Sequence, residues 1–222
     1  MSDSNASERT DDATRILELL HRVEPLKHLP RTGWVERGVS MPESVAAHCW
    51  RLALVAWLMA DALGLDACRA MKLALVHDMP EAITGDRTPF DDQGLTPEAQ
   101  RALFINPEAA PDWRQPAARR RKIEAERQAL HTMLADQPAP LAAALQTAWE
   151  EYEDDTTPEA ILVQQLDKLE AYTQGCEYAR DGRLAEPETL NSFRLDNERL
   201  VQQPAVRALL AALEQWARPA AT

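Results

Sequence analysis

The chain is poor in the residues that build β-sheets, sharp turns and disulfides. It has 7 glycines and 3 cysteines among 222 residues, and valine and isoleucine are much scarcer than alanine and leucine. Alanine and leucine favour helices, whereas β-branched residues favour strands. The 15 prolines fall between apolar-periodic segments, where proline typically separates helices. We therefore predict an all-α protein with a single main domain.

The scarcity of cysteine and of basic charge excludes several classes of protein. Cys49, Cys68 and Cys176 are widely spaced, which argues against a disulfide framework or cysteine zinc site and predicts a reducing, cytoplasmic location. With 24 Lys+Arg against 36 Asp+Glu the net charge is −12, so we expect no nucleic-acid partner. No uninterrupted apolar run of about 18 residues is present, so we expect no membrane span.

Apolar periodicity and capping residues predict the helices and the domain limits. Asp66, Thr96 and Thr157 are predicted N-caps, and Ser40-x-x-Glu43 matches a capping box. The predicted domain limits are a disordered lead-in over 1–11, a helical domain over 12–182 and a helical extension over 183–222 that packs on it. The predicted helices span about 12–23, 41–63, 67–77, 79–84, a short segment from Thr96, 116–135, 138–152, 157–180 and 204–217.

Four polar residues lie inside apolar segments and form a candidate metal site. His77 and Asp78 close the apolar run Met71–Val76, where an unpaired carboxylate is costly unless a metal or partner neutralises it. His48 and Asp167 likewise lie within apolar-periodic helices. Two imidazoles and two carboxylates suit Mn, Co, Fe, Zn or Mg. Taken singly, His48 could be a core histidine bonded to a carbonyl and Asp167 a solvated residue.

Two further carboxylates follow the His77-Asp78 pair. Glu81 comes four residues after His77, so one helical turn would bring both to the same face. Gly85 permits a sharp turn that directs Asp86 back towards the site. A carboxylate close to a metal-activated water can position that water or take its proton. Structurally, Glu81 could instead be an acid at a helix N-terminus and Asp86 an Asx-turn residue.

Several blocks of sequence, in order, resemble a known family. They are LKHLPRTGW (26–34), PESV (42–45), LALVHDMPEAITGD (73–86), WEEYE (149–153) and QLDKLEAY (165–172). The order His48, His77-Asp78, Asp167 resembles the HD-domain metal phosphohydrolases, and the blocks resemble the HD-domain 5′-deoxynucleotidases. The resemblance implies an HD-domain helical bundle, release of phosphate from deoxynucleoside 5′-monophosphates, and a homodimer.

The same resemblance implies roles for individual residues. The ligands of one divalent cation, Co²⁺, Mn²⁺ or Mg²⁺, would be His48, His77, Asp78 and Asp167. Glu81 and Asp86 would be catalytic, and in some members these two hold a second cation.

Substrate contacts are expected from residues around the motif. Arg31 would bind the phosphate and Trp34 the nucleoside. Arg51 is a further candidate because it lies one turn from His48. The other expected contacts, both just after Asp86, are Arg87 and Thr88.

Two alternatives remain open at the level of sequence. The chain could hydrolyse a different or modified nucleotide or phosphoester, since the signature specifies metal hydrolysis better than the nucleoside. It could also be a non-catalytic HD module, although all four candidate ligands are intact. Ala47 stands where the 5′-deoxynucleotidases often have an acid before the first ligand. If that acid acts only behind the ligand, its absence would alter the tuning of the metal, and if it does more, the predicted substrate class loses support.

Overall fold

The fold consists of α-helices packed around one long central helix, as seen in a computed structural model that describes residues 2–88, 94–109 and 116–218. Residues 2–10 and 116 are described by their backbone alone. Short 3₁₀ segments cover Glu24–Lys27, Pro107–Ala109 and Pro187–Leu190. Within the described ranges there is no β-strand, so the predicted all-α fold is confirmed. Helices α1 to α11 span Ser2–Val23, Thr32–Glu36, Val45–Leu63, Ala67–Val76, Glu81–Thr84, Pro97–Ile105, Pro116–Leu134, Ala139–Glu153, Pro158–Arg180, Asn191–Leu200 and Pro204–Ala217.

Helix α9 forms the centre of the fold and contacts α3, α4, α8, α10 and α11. Its Leu162, Leu166 and Leu169 are buried together with Leu52 of α3 and Leu73 of α4. Burial of each such side chain contributes about 1.5–3 kcal/mol. Polar residues on the inner faces of α3, α4 and α9 are therefore held in a rigid apolar setting.

Most helix starts agree with the capping residues. The side chains of Asp66, Thr96 and Thr157 each accept a hydrogen bond from a backbone N–H three residues later. The predicted cap at Ser40 is wrong, because α3 begins at Val45 and Ser44 accepts from the backbone N–H of Ala47.

The physical reason is the proline that follows Met41. A residue before proline is disfavoured in the α region, and Met41 instead has a φ of 52°. Glu43 is consequently outside the helix, where its carboxylate accepts a hydrogen bond from Trp34 Nε1 at 3.1 Å.

The two ends of the chain are helical where the structure describes them, and the domain limits 1–11, 12–182 and 183–222 stay a prediction. The backbone is helical from Ser2, where a disordered lead-in over 1–11 was expected; acidic and hydroxyl residues at its start suit a helix N-terminus. At the other end, Leu184, Leu190 and Val201 share the core cluster of α9. Residues beyond 182 thus contribute to the same core as the helices before them.

Helix α3, Val45–Leu63, is the one helix among the described residues that is long and apolar enough to cross a membrane. Our expectation from uninterrupted runs did not identify it, because His48 and Arg51 interrupt the apolar sequence. In the fold, Leu52 and Ala56 of this helix are fully buried, and the helix packs against α4 and α9. Core helices of this kind share the length and composition of membrane-spanning helices.

Gly175 lets α9 pack closely against the Trp34 ring. A Cβ atom there would lie 2.5 Å from Leu190 Cδ2 and 2.9 Å from a Trp34 ring carbon. Overpacking costs about 1–3 kcal/mol, which exceeds the roughly 1 kcal/mol that alanine gains over glycine in a helix. We expect Gly175→Ala to lower the urea midpoint of unfolding. Gly33→Ala is the matched control, since its Cβ would meet nothing closer than 3.6 Å; equal midpoints for both variants would contradict the prediction.

Candidate metal centre

Three separate parts of the chain bring His48, His77, Asp78 and Asp167 together. His48 lies on the inner face of α3, Asp167 is in the middle of α9, and His77 and Asp78 follow the last residue of α4. The two imidazoles and Asp167 are at most 4% exposed, and Asp78 is 8% exposed. The apolar packing of these helices therefore positions the four side chains.

The four imidazole–carboxylate distances suit a single metal ion. Asp167 Oδ1 lies 3.1 Å from His48 Nε2 and 4.0 Å from His77 Nε2, while Asp78 Oδ2 lies 3.1 Å from His77 Nε2 and 4.0 Å from His48 Nε2. Ligands at about 2.1 Å from one ion are about 3.0 Å apart when adjacent and about 4.2 Å when opposite. Both Nε2 atoms are buried without a well-aligned hydrogen bond, so these residues fit a divalent cation.

Both histidines are held in the tautomer that a metal requires. His48 Nδ1 donates to the Glu170 carboxylate, and His77 Nδ1 donates to the carbonyl oxygen of Ala74 at 2.9 Å. Because both partners are acceptors, Nδ1 of each ring carries a proton, and Nε2 is the nitrogen whose lone pair a metal would bind once its proton is displaced. The two Nε2 atoms therefore face the carboxylates of Asp78 and Asp167 as donors to a metal.

The electrostatics of the cluster favour positive charge at its centre. Burial acts to raise the pKa of both Asp78 and Asp167. His77 and Arg31 nevertheless hold the pKa of Asp78 well below its ordinary value. Lys168 and His48 do the same for the pKa of Asp167. Burial and Arg31 act to lower the pKa of His48, yet the carboxylates of Glu170 and Asp167 raise it to about 10. A divalent cation would supply the positive charge that these groups attract.

Glu170 is a site residue that the sequence analysis missed. Its Oε1 accepts from Arg51 Nε at 2.6 Å, and its Oε2 accepts from His48. Arg51 also donates to Glu177 and Gln174. Through these hydrogen bonds the guanidinium orients Glu170. This geometry does not support the expected contact between Arg51 and a phosphate. The position of Glu170, three residues after Asp167 on the same helix, was the available signal.

We expect Glu170→Gln to weaken metal binding about 10–100-fold, since a carboxylate behind a metal-binding histidine fixes its orientation and raises its basicity. Titration of the metal-free protein with Co²⁺ by calorimetry measures this. Glu177→Gln is the control, because Glu177 accepts a hydrogen bond from Arg51 at 2.7 Å, whereas the hydrogen bond to His48 Nδ1 is made by Glu170. Unchanged affinity in Glu170→Gln would show that Glu170 does not support the ligand.

Glu81 lies beside the metal ligands but not on their helix. Helix α4 ends at Val76, and Glu81 begins α5 after a turn, so the expected single helical face is replaced by two short elements. The Glu81 side chain is fully buried, and Lys122 Nζ donates to its Oε1 at 3.1 Å. Its Oε2 is buried without a hydrogen-bond partner. Burial raises the pKa of Glu81 to about 8, assisted by Asp78 and opposed by Lys122.

Arg31 and Asp86 lie at the same centre. Arg31 Nη1 donates to Asp78 Oδ2 at 2.8 Å, and its Nε is 3.9 Å from Asp86 Oδ2. The backbone N–H of Thr32 donates to Asp86 Oδ2 at 2.7 Å, which holds the carboxylate in place after the Gly85 turn. One guanidinium therefore contacts both Asp78, a predicted metal ligand, and Asp86, a predicted catalytic residue.

The remaining expected substrate contacts have other surroundings. Trp34 is 2% exposed and packs against Tyr178 and Phe193, so it belongs to the core rather than to an open binding surface. Thr88 donates to Glu36 Oε1 at 3.1 Å. Arg87, next to it, is half-buried. These contacts fix the segment after Asp86 and leave its contact with a substrate a prediction.

Comparisons with known proteins agree with this geometry. A family model described as an HD domain matches residues 23–207. The chain is 34% identical over 204 residues to human 5′-deoxynucleotidase HDDC2, with 90% of this chain and 87% of that protein covered. The zebrafish protein of the same name is 33% identical over 201 residues, with 90% and 86% covered. A conserved hypothetical protein from Pyrococcus furiosus has a similar structure, with a TM-score of 0.66, 27% identity, and 90% and 99% of the two chains covered.

Proposed function

Since the chain belongs to the HD-domain family, we propose that it is a metal-dependent phosphohydrolase that releases phosphate from deoxynucleoside 5′-monophosphates. The observation that carries the proposal is the convergence of two imidazole nitrogens and two carboxylate oxygens, in which each carboxylate oxygen lies 3.1 Å from one Nε2 and 4.0 Å from the other. The names and coverage of the human and zebrafish relatives support the substrate class.

The residues around the metal site have the chemistry that phosphate-ester hydrolysis needs. A divalent cation, when bound by His48, His77, Asp78 and Asp167, supplies a Lewis acid and lowers the pKa of a water nucleophile.

Glu81 is the residue we assign as general base. Its Oε2 is buried and unpartnered, so it can hold a water and take its proton. A base with a pKa near neutrality suits this role. Arg31, with a side chain 18% exposed, can meet a phosphate oxygen and offset its negative charge.

Phosphate release tests the proposal directly. Deoxy- and ribonucleoside 5′-monophosphates would be incubated with the protein plus Co²⁺, Mn²⁺ or Mg²⁺, against a chelator control. We expect metal-dependent release confined to the deoxynucleotides. If no nucleotide of the panel released phosphate while elemental analysis found bound metal, this substrate class would be contradicted and a modified nucleotide or another phosphoester favoured. If no phosphate were released and no metal were bound, the proposal of an enzyme would be contradicted and a non-catalytic module favoured.

We also propose that the protein acts as a homodimer in a reducing cytoplasm. Four large apolar side chains on one face of α3, all at least 40% exposed, support the dimer: Trp50, Leu54, Trp57 and Leu58. An apolar helix face of this kind marks an interaction site and can pair with its own copy across a two-fold axis. Light scattering after size exclusion should report a dimer for the wild type and a monomer for Leu58→Glu; a monomeric wild type would contradict the proposal.

A further inference from the structure

Lys122 is held against the candidate metal centre, although its position in the basic run Arg119–Lys122 is typical of a solvated helix face. Its ammonium lies 3.1 Å from Glu81 Oε1 and 3.3 Å from Glu126 Oε1. The Glu81 and Glu126 side chains are 0% and 5% exposed. The ammonium therefore joins two carboxylates that the core would otherwise hold as unpaired charges.

The location of Lys122 is fixed from both sides. Its neighbour Ile123 on α7 and Ala82 on α5 pack against the same apolar cluster, which includes Met79 and Leu130. Glu126 lies one turn further along α7 and pairs with Lys122 from behind. The ammonium thus lies between two buried carboxylates, and its hydrogen bond to Oε1 orients the Glu81 side chain.

The two oxygens of Glu81 have different surroundings because of Lys122. Oε1 accepts the hydrogen bond from the ammonium, while Oε2 is buried and has no partner. We propose that Lys122 is a positioning residue for hydrolysis: by holding Oε1 it fixes the Glu81 carboxylate with Oε2 turned to the reacting water. This inference rests on the proposed function. In that step Oε2 takes the proton of the water as the water oxygen forms its bond to phosphorus and the nucleoside oxygen leaves.

Combining changes at both positions tests whether Lys122 acts through Glu81. We expect Lys122→Met to lower kcat about 10–100-fold, as misplacement of a catalytic group does, with KM and Co²⁺ affinity within about 3-fold of wild type. In a Glu81→Gln background the same change should lower kcat by less than about 3-fold, because coupled residues are non-additive. Lys122→Arg should recover part of the loss, and Lys72→Met, on an exposed lysine of α4, should be neutral. Equal losses in both backgrounds would overturn the inference.

A second measurement does not depend on activity. Limited acetylation followed by mass spectrometry reports the reactivity of each lysine amine, and an ammonium paired with a carboxylate reacts slowly. Burial acts to lower the pKa of Lys122, but the carboxylates of Glu81 and Glu126 outweigh burial and raise this pKa. We expect Lys122 to be acetylated faster in Glu81→Gln than in wild type, with Lys72 unchanged as internal reference. Equal acetylation rates of Lys122 in the wild type and in Glu81→Gln would overturn the inference, even if the wild type hydrolysed no nucleotide. If the wild type hydrolysed no nucleotide but Lys122 were acetylated faster in Glu81→Gln, only the proposed function would be contradicted.

Discussion

Asp78→Ala should lose both the metal and the activity. The change removes one of four ligand atoms and leaves the Arg31 guanidinium, 2.8 Å from Asp78 Oδ2, without that partner. A metal at a hydrolytic centre provides several kcal/mol of transition-state stabilisation. We therefore expect kcat/KM to fall by at least about 10³-fold, which corresponds to about 4 kcal/mol. Phosphate release and elemental analysis of the same sample measure the two losses together.

The control for this experiment is Asp154→Ala at the exposed C-terminal end of α8. It removes a carboxylate of the same size from a solvent-exposed position that is not one of the four assigned ligands. Its activity and metal content should match the wild type. If Asp78→Ala retained activity while metal was absent from the sample, the metal-dependent mechanism would be wrong.

Glu81→Gln should lower turnover while the metal stays bound. The amide keeps the size of the side chain and an oxygen that can accept from Lys122, but it cannot take a proton from water. General acid–base catalysis contributes about 10²–10⁴-fold, and we expect kcat to fall by a factor in this range. Rates at saturating deoxynucleotide and Co²⁺ titration by calorimetry provide the measurements.

Glu124→Gln provides the comparison, because Glu124 is exposed on α7 and accepts hydrogen bonds from Arg127 and Gln128 of the same helix. It should leave kcat unchanged. Loss of all metal from Glu81→Gln would mean that Glu81 is a ligand of the ion rather than a base. Unchanged kcat with metal retained would remove Glu81 from the mechanism.

The sequence predicted the candidate metal ligands because polar side chains are costly to bury inside apolar helices unless they have a partner. His48, His77, Asp78 and Asp167 each interrupt an apolar pattern, and the family resemblance joined them into one set. The fold class followed from alanine, leucine and proline usage in the same way. These signals are local, so a single sequence carries them.

The contacts that support the ligands depend on which helices meet, and periodicity does not specify that. Glu170 reaches His48 from another helix, and Lys122 reaches Glu81 across the α5–α7 contact. Arg51 was correctly placed one turn from His48, yet its guanidinium turns to the carboxylates of α9 instead of the substrate side. Trp34 is buried by aromatic residues at 178 and 193, which periodicity could not identify, and its contact with a nucleoside stays a prediction.

The separation of the ligands along the chain has a consequence for storage and handling. An ion bound by both His48 and Asp167 ties together two points that enclose a loop of roughly 120 residues. It would act as a reversible cross-link, and closing a loop of about this length restricts the denatured chain by an amount worth up to about 5 kcal/mol in the case of a disulfide. A preparation exposed to a strong chelator would lose this tether, and its unfolding midpoint would reveal the metal content before any assay of catalysis.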